Sequence, residues 1–119
     1  MRRILVVDDS PTERLALTEL LTREGYQVLT AENGEQALAL ARAELPDLVL
    51  MDVVMPGMNG YQATRQLHRD AATRHIPVII CTTKGQEADR AWGLRQGAVA
   101  YLVKPIDETA LLAAIRSME

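Results

Sequence analysis

The chain has 119 residues, near the commonest size of a single domain and long enough to bury a real core. Its net charge of −3, with both signs dispersed, gives no basis for a nucleic-acid or anionic-membrane surface, and 48% hydrophobic with 24% charged residues is ordinary for a globular protein. A single Cys excludes an intrachain disulfide framework and points to a reducing compartment.

Residues 3–7 read as a first strand. The start Met1-Arg2-Arg3 imitates a signal peptide, but the apolar run Ile4–Val7 is too short for an h-region or a membrane span, so a cytoplasmic location without membrane insertion is expected. Ser10-Pro11-Thr12-Glu13 has the form of a capping box with Pro at the first helical position. Leu17, Leu20 and Leu21 continue a helical stripe that stops near Gly25, a natural C′ residue. A short strand follows over 27–31. Asn33 then caps a second helix with Ala37, Leu40, Ala41 and Leu45 on one face, closed by Pro46. Residues 48–51 form a third strand. Asn59 opens a third helix to about Arg69, with a thin stripe of Thr64 and Leu67. Residues 77–81 read as a fourth strand, 86–96 as a helix lined by Ala88 and Ala91, and 99–103 as a fifth strand. Asp107 caps a last helix with Leu111, Ala114, Ile115 and Met118 inward.

Five strands alternating with five helices predict an α/β fold: right-handed crossovers and a doubly wound parallel sheet covered on both faces. The continuous apolar runs agree, because strands buried on both sides need not alternate. No linker, repeat or low-complexity stretch interrupts the pattern, so residues 1–119 are expected to form one domain.

Three carboxylates directly follow strand-like runs: Asp8 and Asp9 after Ile4–Val7, and Asp52 after Leu48–Met51. In an open parallel sheet, the loops at the carboxyl ends of the strands build the functional crevice. If those strands are neighbours, the acids converge and need a compensating cation, since like charges so close cannot all ionise comfortably. A hard divalent metal such as Mg²⁺, which prefers oxygen ligands, is one source; Lys104, at the end of a third apolar run, is another. The constellation is either a metal site or a site for chemistry at a carboxylate.

The ordered set Asp8-Asp9, Asp52 with Met55-Pro56-Gly57 and Gly60 after it, Thr82-Thr83, and Lys104-Pro105 resembles the receiver domain of two-component response regulators, along the whole chain. With no output domain in view, it is similar to the stand-alone CheY-like regulators. Asp9-Ser10-Pro11-Thr12-Glu13 and Thr83-Lys84-Gly85-Gln86-Glu87 before Trp92-Gly93 resemble the regulators of type IV pilus and twitching-motility chemosensory systems. The resemblance implies a flavodoxin-like, CheY-like sheet of order 2-1-3-4-5. It implies Asp52 as phosphoacceptor, a carboxylate nucleophile that forms an acyl phosphate. Mg²⁺ would be held by Asp9 directly, by Asp8 through water, by Asp52 and by the backbone carbonyl of Val54, offsetting charge on the transferring phosphoryl group. Lys104 would pair with a phosphoryl oxygen, Thr82 would hydrogen-bond another, and Tyr101 would change rotamer in step. Pro105 resembles the family's cis-proline.

Other residues read more plainly. His68 and His75 lack partners at metal-ligand spacing and are expected in solvent, and Cys81 is expected to be an inert core thiol. Trp92, the only Trp, is either core or a partner-binding anchor, with packing preferred. Val54, Lys84 and Thr83 depart from the commonest receiver pattern at positions that tune phosphate lifetime and access to Asp52.

The resemblance therefore implies a monomeric, phosphorylation-activated switch and not an enzyme beyond its own phosphotransfer and autodephosphorylation. A CheA-like histidine kinase would supply phosphate, and the face of the fourth helix, fifth strand and fifth helix would bind a target protein, the pilus motor being a candidate; no nucleic acid is expected. A phosphate sink for a shared kinase is the alternative. An aspartyl-phosphate phosphatase of the haloacid-dehalogenase type needs a second acid two residues after its nucleophile, where this chain has Val54.

Overall fold

The structure is a computed structural model that describes residues 2–119. Each short apolar run forms a strand: β1 (Arg3–Val7), β2 (Gln27–Ala31), β3 (Leu48–Met51), β4 (Val78–Thr82) and β5 (Ala100–Val103). Between and after them lie α1 (Pro11–Arg23), α2 (Gly34–Glu44), α3 (Gly60–Arg69), α4 (Glu87–Arg95) and α5 (Glu108–Arg116). The sheet is parallel, in the expected order β2-β1-β3-β4-β5. Strands β3 and β4 are buried along their whole length and β1 after its first residue, whereas the edge strands β2 and β5 carry exposed positions. A central strand covered on both faces has no solvent side, which is why these runs are continuously apolar.

Alternate strand residues feed two cores. Ile4, Val6, Leu48, Leu50, Ile79 and Cys81 pack with Leu20 and Leu21 of α1 and Leu111 and Ile115 of α5. Leu5, Val7, Val49, Met51 and Ile80 face the other way, onto Ala37, Leu38 and Ala41 of α2 and Tyr61, Ala63 and Leu67 of α3. Local signals set the ends: Ser10, Asn33 and Asn59 each accept a hydrogen bond from the N3 amide of their helix, and Asp107 accepts from Thr109 and Ala110. Gly25, at φ +92°, takes the left-handed C′ position after α1. The Lys104–Pro105 bond is cis. Among the described residues no helix is long and apolar enough to cross a membrane.

Several expectations shift. Strand β4 runs one residue later than its apolar run, Val78 to Thr82, because Thr82 pairs with Val103 and Pro77, lacking an N–H, contributes only its carbonyl, to Val49. Val99 precedes β5 and is exposed. Leu45, expected inward, is exposed: it caps α2 in the left-handed region at φ 45°, and Leu38 fills the core instead. The α3 stripe is broader than expected, since Tyr61 and Ala63 join Thr64 and Leu67.

The largest correction concerns α4. Ala88 and Ala91, expected to line it, are exposed; Gly93 is its only buried residue, and Trp92 is 47% exposed rather than packed. A Cβ on Gly93 would come within 2.8 Å of the Tyr101 ring and 2.9 Å of Ile80, so α4 meets the sheet through the absence of a side chain. Little apolar area then resists its opening. Amide exchange in residues 87–95 should run at least roughly tenfold faster than in residues 13–23; equal protection, read by hydrogen–deuterium exchange, would contradict this account.

Candidate functional site

Sheet register decides which strand ends meet. Val7 pairs with Met51, and the Asp52 amide donates to the Val7 carbonyl at 2.9 Å, which sets Asp8 and Asp52 side by side just past β1 and β3. Thr82 pairs with Val103, and the Lys104 amide donates to the Thr82 carbonyl at 2.8 Å. Lys104 thus leaves β5 on the same edge. Asp8 and Asp52 are only 2% and 5% exposed.

The Lys104 ammonium sits among three acids. Nζ donates to Asp8 Oδ2 at 2.7 Å and to Glu13 Oε2, and lies 3.5 Å from Asp52 Oδ2. The carboxylates are also held by backbone: Ser10 N–H donates to Asp8 Oδ1 at 2.9 Å, and Val53 N–H to Asp52 Oδ1 at 2.8 Å. Burial raises the Asp52 carboxyl above the usual aspartate range, with the neighbouring Asp8 charge adding to it; the Lys104 charge and the adjoining amides pull the other way without cancelling it. For Lys104, burial would lower the ammonium, but the bonds from Asp8 and Glu13 and the charge of Asp52 outweigh it and hold the group above the ordinary lysine value. Asp52 is thus a desolvated carboxylate facing a fixed cation, the combination that marks a candidate functional site.

Asp8, Glu13 and Asp52 each offer an oxygen within 4.8 Å of the others, the one group of three potential metal ligands among the described residues. An all-oxygen, acidic set suits a hard cation such as Mg²⁺. The convergence of Asp8, Asp52 and Lys104 was expected; the presence of Glu13 was not. Its residue type fitted the capping-box pattern, which gave no reason to aim it at the sheet. Asp9 is exposed and stands outside this group. The Val54 side chain is exposed as well.

The remaining candidates line the path away from the acids. Thr82 is fully buried, and its Oγ1 accepts from Lys84 N–H at 3.4 Å. Tyr101 points inward at 3% exposure and donates to the Lys84 carbonyl at 2.7 Å, with the Tyr61 hydroxyl 3.0 Å away. Burial pushes the Tyr101 phenol well up, so it stays a donor. Cys81 is buried and its thiol is pushed up to about 12 by desolvation, as an inert core residue should be. His68 and His75 are exposed. Gly60 is required by the site's backbone: a Cβ there would stand 2.0 Å from the Asp52 carbonyl oxygen.

The family described as "Response regulator receiver domain" matches residues 4–116. The protein PilH of Pseudomonas aeruginosa is 63% identical over 118 residues, covering 99% of this chain and 98% of PilH. Response regulator PleD of Caulobacter vibrioides is 48% identical over 98% of this chain, which spans only 26% of PleD. Among solved structures, chemotaxis protein CheY4 of Vibrio cholerae matches with a TM-score of 0.92 at 31% identity, over 100% of this chain and 99% of that one. The receiver domain of a Pseudomonas aeruginosa sensor histidine kinase, described with a magnesium ion coordinated in its active site cleft, matches with a TM-score of 0.91 at 31% identity over 98% and 96% of the two chains.

Two outcomes test the site's energetics. A carboxyl whose pKa is raised by folding opposes folding once ionised, and that penalty grows as pH rises from the unfolded range through the folded one. In a chelator, Asp52→Asn should therefore raise Tm by a few degrees at pH 7, and the gain should vanish as pH falls below about 4, where wild type takes up the proton itself. Gly60→Ala should lower stability by roughly 1–3 kcal/mol, the usual range for overpacking, because its clash is with backbone that cannot rotate away; chemical denaturation measures it.

Proposed function

The chain belongs to the response regulator receiver family, and we propose that within it this protein is a single-domain phosphorylation switch in a chemotaxis-like system controlling type IV pili. Receiver domains accept phosphate from histidine kinases and are not enzymes in the ordinary sense. The observation that carries the reading is the buried Asp52 carboxylate at the end of β3, 3.5 Å from Lys104 in a cluster of acids.

Asp52 attacks the phosphorus of a phosphohistidine on a CheA-like kinase, the P–N bond breaks, and an acyl phosphate forms on the carboxylate. Asp8, Asp9, Asp52 and the Val54 carbonyl are the residues proposed to hold Mg²⁺. The ion, when bound, offsets charge on the transferring phosphoryl group. Lys104 is already desolvated and held by Asp8 within 3.5 Å of the Asp52 carboxylate, so it is placed to pair with a phosphoryl oxygen there. Thr82 follows by turning its hydroxyl from the Lys84 amide to the phosphoryl group. Tyr101 donates to the Lys84 carbonyl two residues on, so a shift of that loop is felt at Tyr101 and at Gly93 packed on its ring. Phosphate thereby biases a lightly packed helix, a population shift rather than a new fold.

Four of the seven large exposed apolar side chains among the described residues, Trp92, Leu94, Val99 and Val103, fall on α4 and around β5. A target-binding face on α4 and β5 would use them, and this favours the switch over a phosphate sink. The pilus assignment rests on the likeness to PilH and on the Asp9–Glu13 and Thr83–Gly93 motifs.

With acetyl phosphate and Mg²⁺, wild type should take up close to one phosphate and Asp52→Asn none, read by radiolabel; label on the Asn variant would refute the phosphoacceptor assignment. Millimolar Mg²⁺ should raise the Tm of wild type by mass action and hardly that of Asp9→Ala. Equal shifts would remove Asp9 from the metal set.

A further inference from the structure

The motif Ser10-Pro11-Thr12-Glu13 is only half a capping box. Ser10 Oγ accepts from Glu13 N–H at 3.3 Å, as the pattern requires. The reciprocal bond is not made: Ser10 N–H is taken by Asp8 Oδ1 at 2.9 Å, and the Glu13 carboxylate turns to Lys104. In α3 both halves are formed, by Asn59 with Gln62. Glu13 has exchanged its capping bond for an ion pair with the ammonium of the site.

That exchange has a direction. Lys104 makes hydrogen bonds to Asp8 and Glu13, whereas Asp52 stands at 3.5 Å, an ion pair without a hydrogen bond. A phosphoryl group on Asp52 brings further negative charge to this spot and needs the same N–H donors. Glu13 opposes it twice, by occupying a donor and by like-charge repulsion. The side chain is 44% exposed and sits in the first turn of α1, where the helix dipole favours a carboxylate, so leaving Lys104 requires no repacking and exposes no unsatisfied core group.

We propose that Glu13 is a positioning residue that competes with the phosphoryl group for Lys104, so that Asp52 becomes fully phosphorylatable only as Glu13 swings out. This inference rests on the receiver reading above and goes beyond it by assigning to Glu13 a restraint on phosphorylation. Relatives with an uncharged residue at this position would lack the restraint and hold phosphate more tightly.

The test is the affinity for beryllofluoride, a mimic of the acyl phosphate, at saturating Mg²⁺. Glu13→Gln keeps the side-chain length and a residue that suits a capping box while removing the charge. Deleting one unit charge about 4 Å away under water-like screening corresponds to about fivefold in Kd, and that tightening is expected. Glu13→Ala should show the same direction, and kcat/KM for acetyl phosphate should rise with it. A merely structural role for Glu13 predicts a lower Tm and no gain in either measurement. Unchanged or weaker beryllofluoride binding by both variants, with folding intact by circular dichroism, overturns the proposal. A tenfold or greater loss of Mg²⁺ affinity in Glu13→Gln, by calorimetry without beryllofluoride, also overturns it and makes Glu13 a metal ligand. No beryllofluoride binding by wild type overturns the receiver reading and this inference together, whereas binding by wild type without a gain in the variants overturns this inference alone.

Discussion

One ammonium holds this molecule's chemistry together. Lys104 lies between Asp8, Glu13 and Asp52, with its side chain only 10% exposed. Two of those acids are themselves buried, so removing the cation would leave like charges facing each other with little water between them. A buried ion pair is weak evidence of stability, because desolvation offsets much of the Coulomb attraction. Burial raises the Asp52 carboxyl above the usual aspartate range despite the Lys104 charge, in line with that residual cost. The cluster is better understood as a site kept under electrostatic tension, ready to accept a second cation or an anionic group, than as a staple of the fold.

The fold's contribution is register. Parallel pairing of β1 with β3 sets Val7 beside Met51, and pairing of β4 with β5 sets Thr82 beside Val103. The next residues of each strand, Asp8, Asp52 and Lys104, then share one edge. A slip of one residue would send every side chain to the opposite face and destroy both cores together with the site. Stability and chemistry are thus tied to one constraint, and the continuous burial of β3 and β4 enforces it.

Away from the acids, packing becomes sparse. Helix α4 rests on Tyr101 and Ile80 through Gly93, and its alanines face solvent. Tyr101 in turn bonds the Lys84 carbonyl, two residues beyond the buried Thr82. A dense, register-locked centre therefore passes through a short loop to a helix with little buried apolar area, held by Gly93 and by hydrogen bonds from Tyr61 to the Asp89 carbonyl and from Arg90 to the Tyr101 carbonyl. Such a gradient in local stability lets a small local change have a large distant effect without disturbing the core.

The sequence by itself determined the elements, their caps and the chemistry on offer. Apolar runs, Ser10, Asn33, Asn59 and Asp107 at helix starts, and Gly25 after α1 are local signals, and the structure follows them to within a residue or two. Acids after β1 and β3 and a lysine after β5 are equally legible, because the carboxyl ends of parallel strands share an edge in any sheet of this class. Glu13, the exposure of Trp92 and the bare underside of α4 were decided only by the tertiary structure. Glu13 obeys a local capping pattern, but its carboxylate is drawn away by an ammonium 91 residues distant in the chain. On α4, helical periodicity names Ala88 and Ala91 as a stripe, yet the Tyr101 ring and Ile80 leave room only for Gly93. Local rules choose among conformations of the chain's own neighbourhood; which partner a side chain finally meets depends on contacts that exist only after the sheet has closed its register.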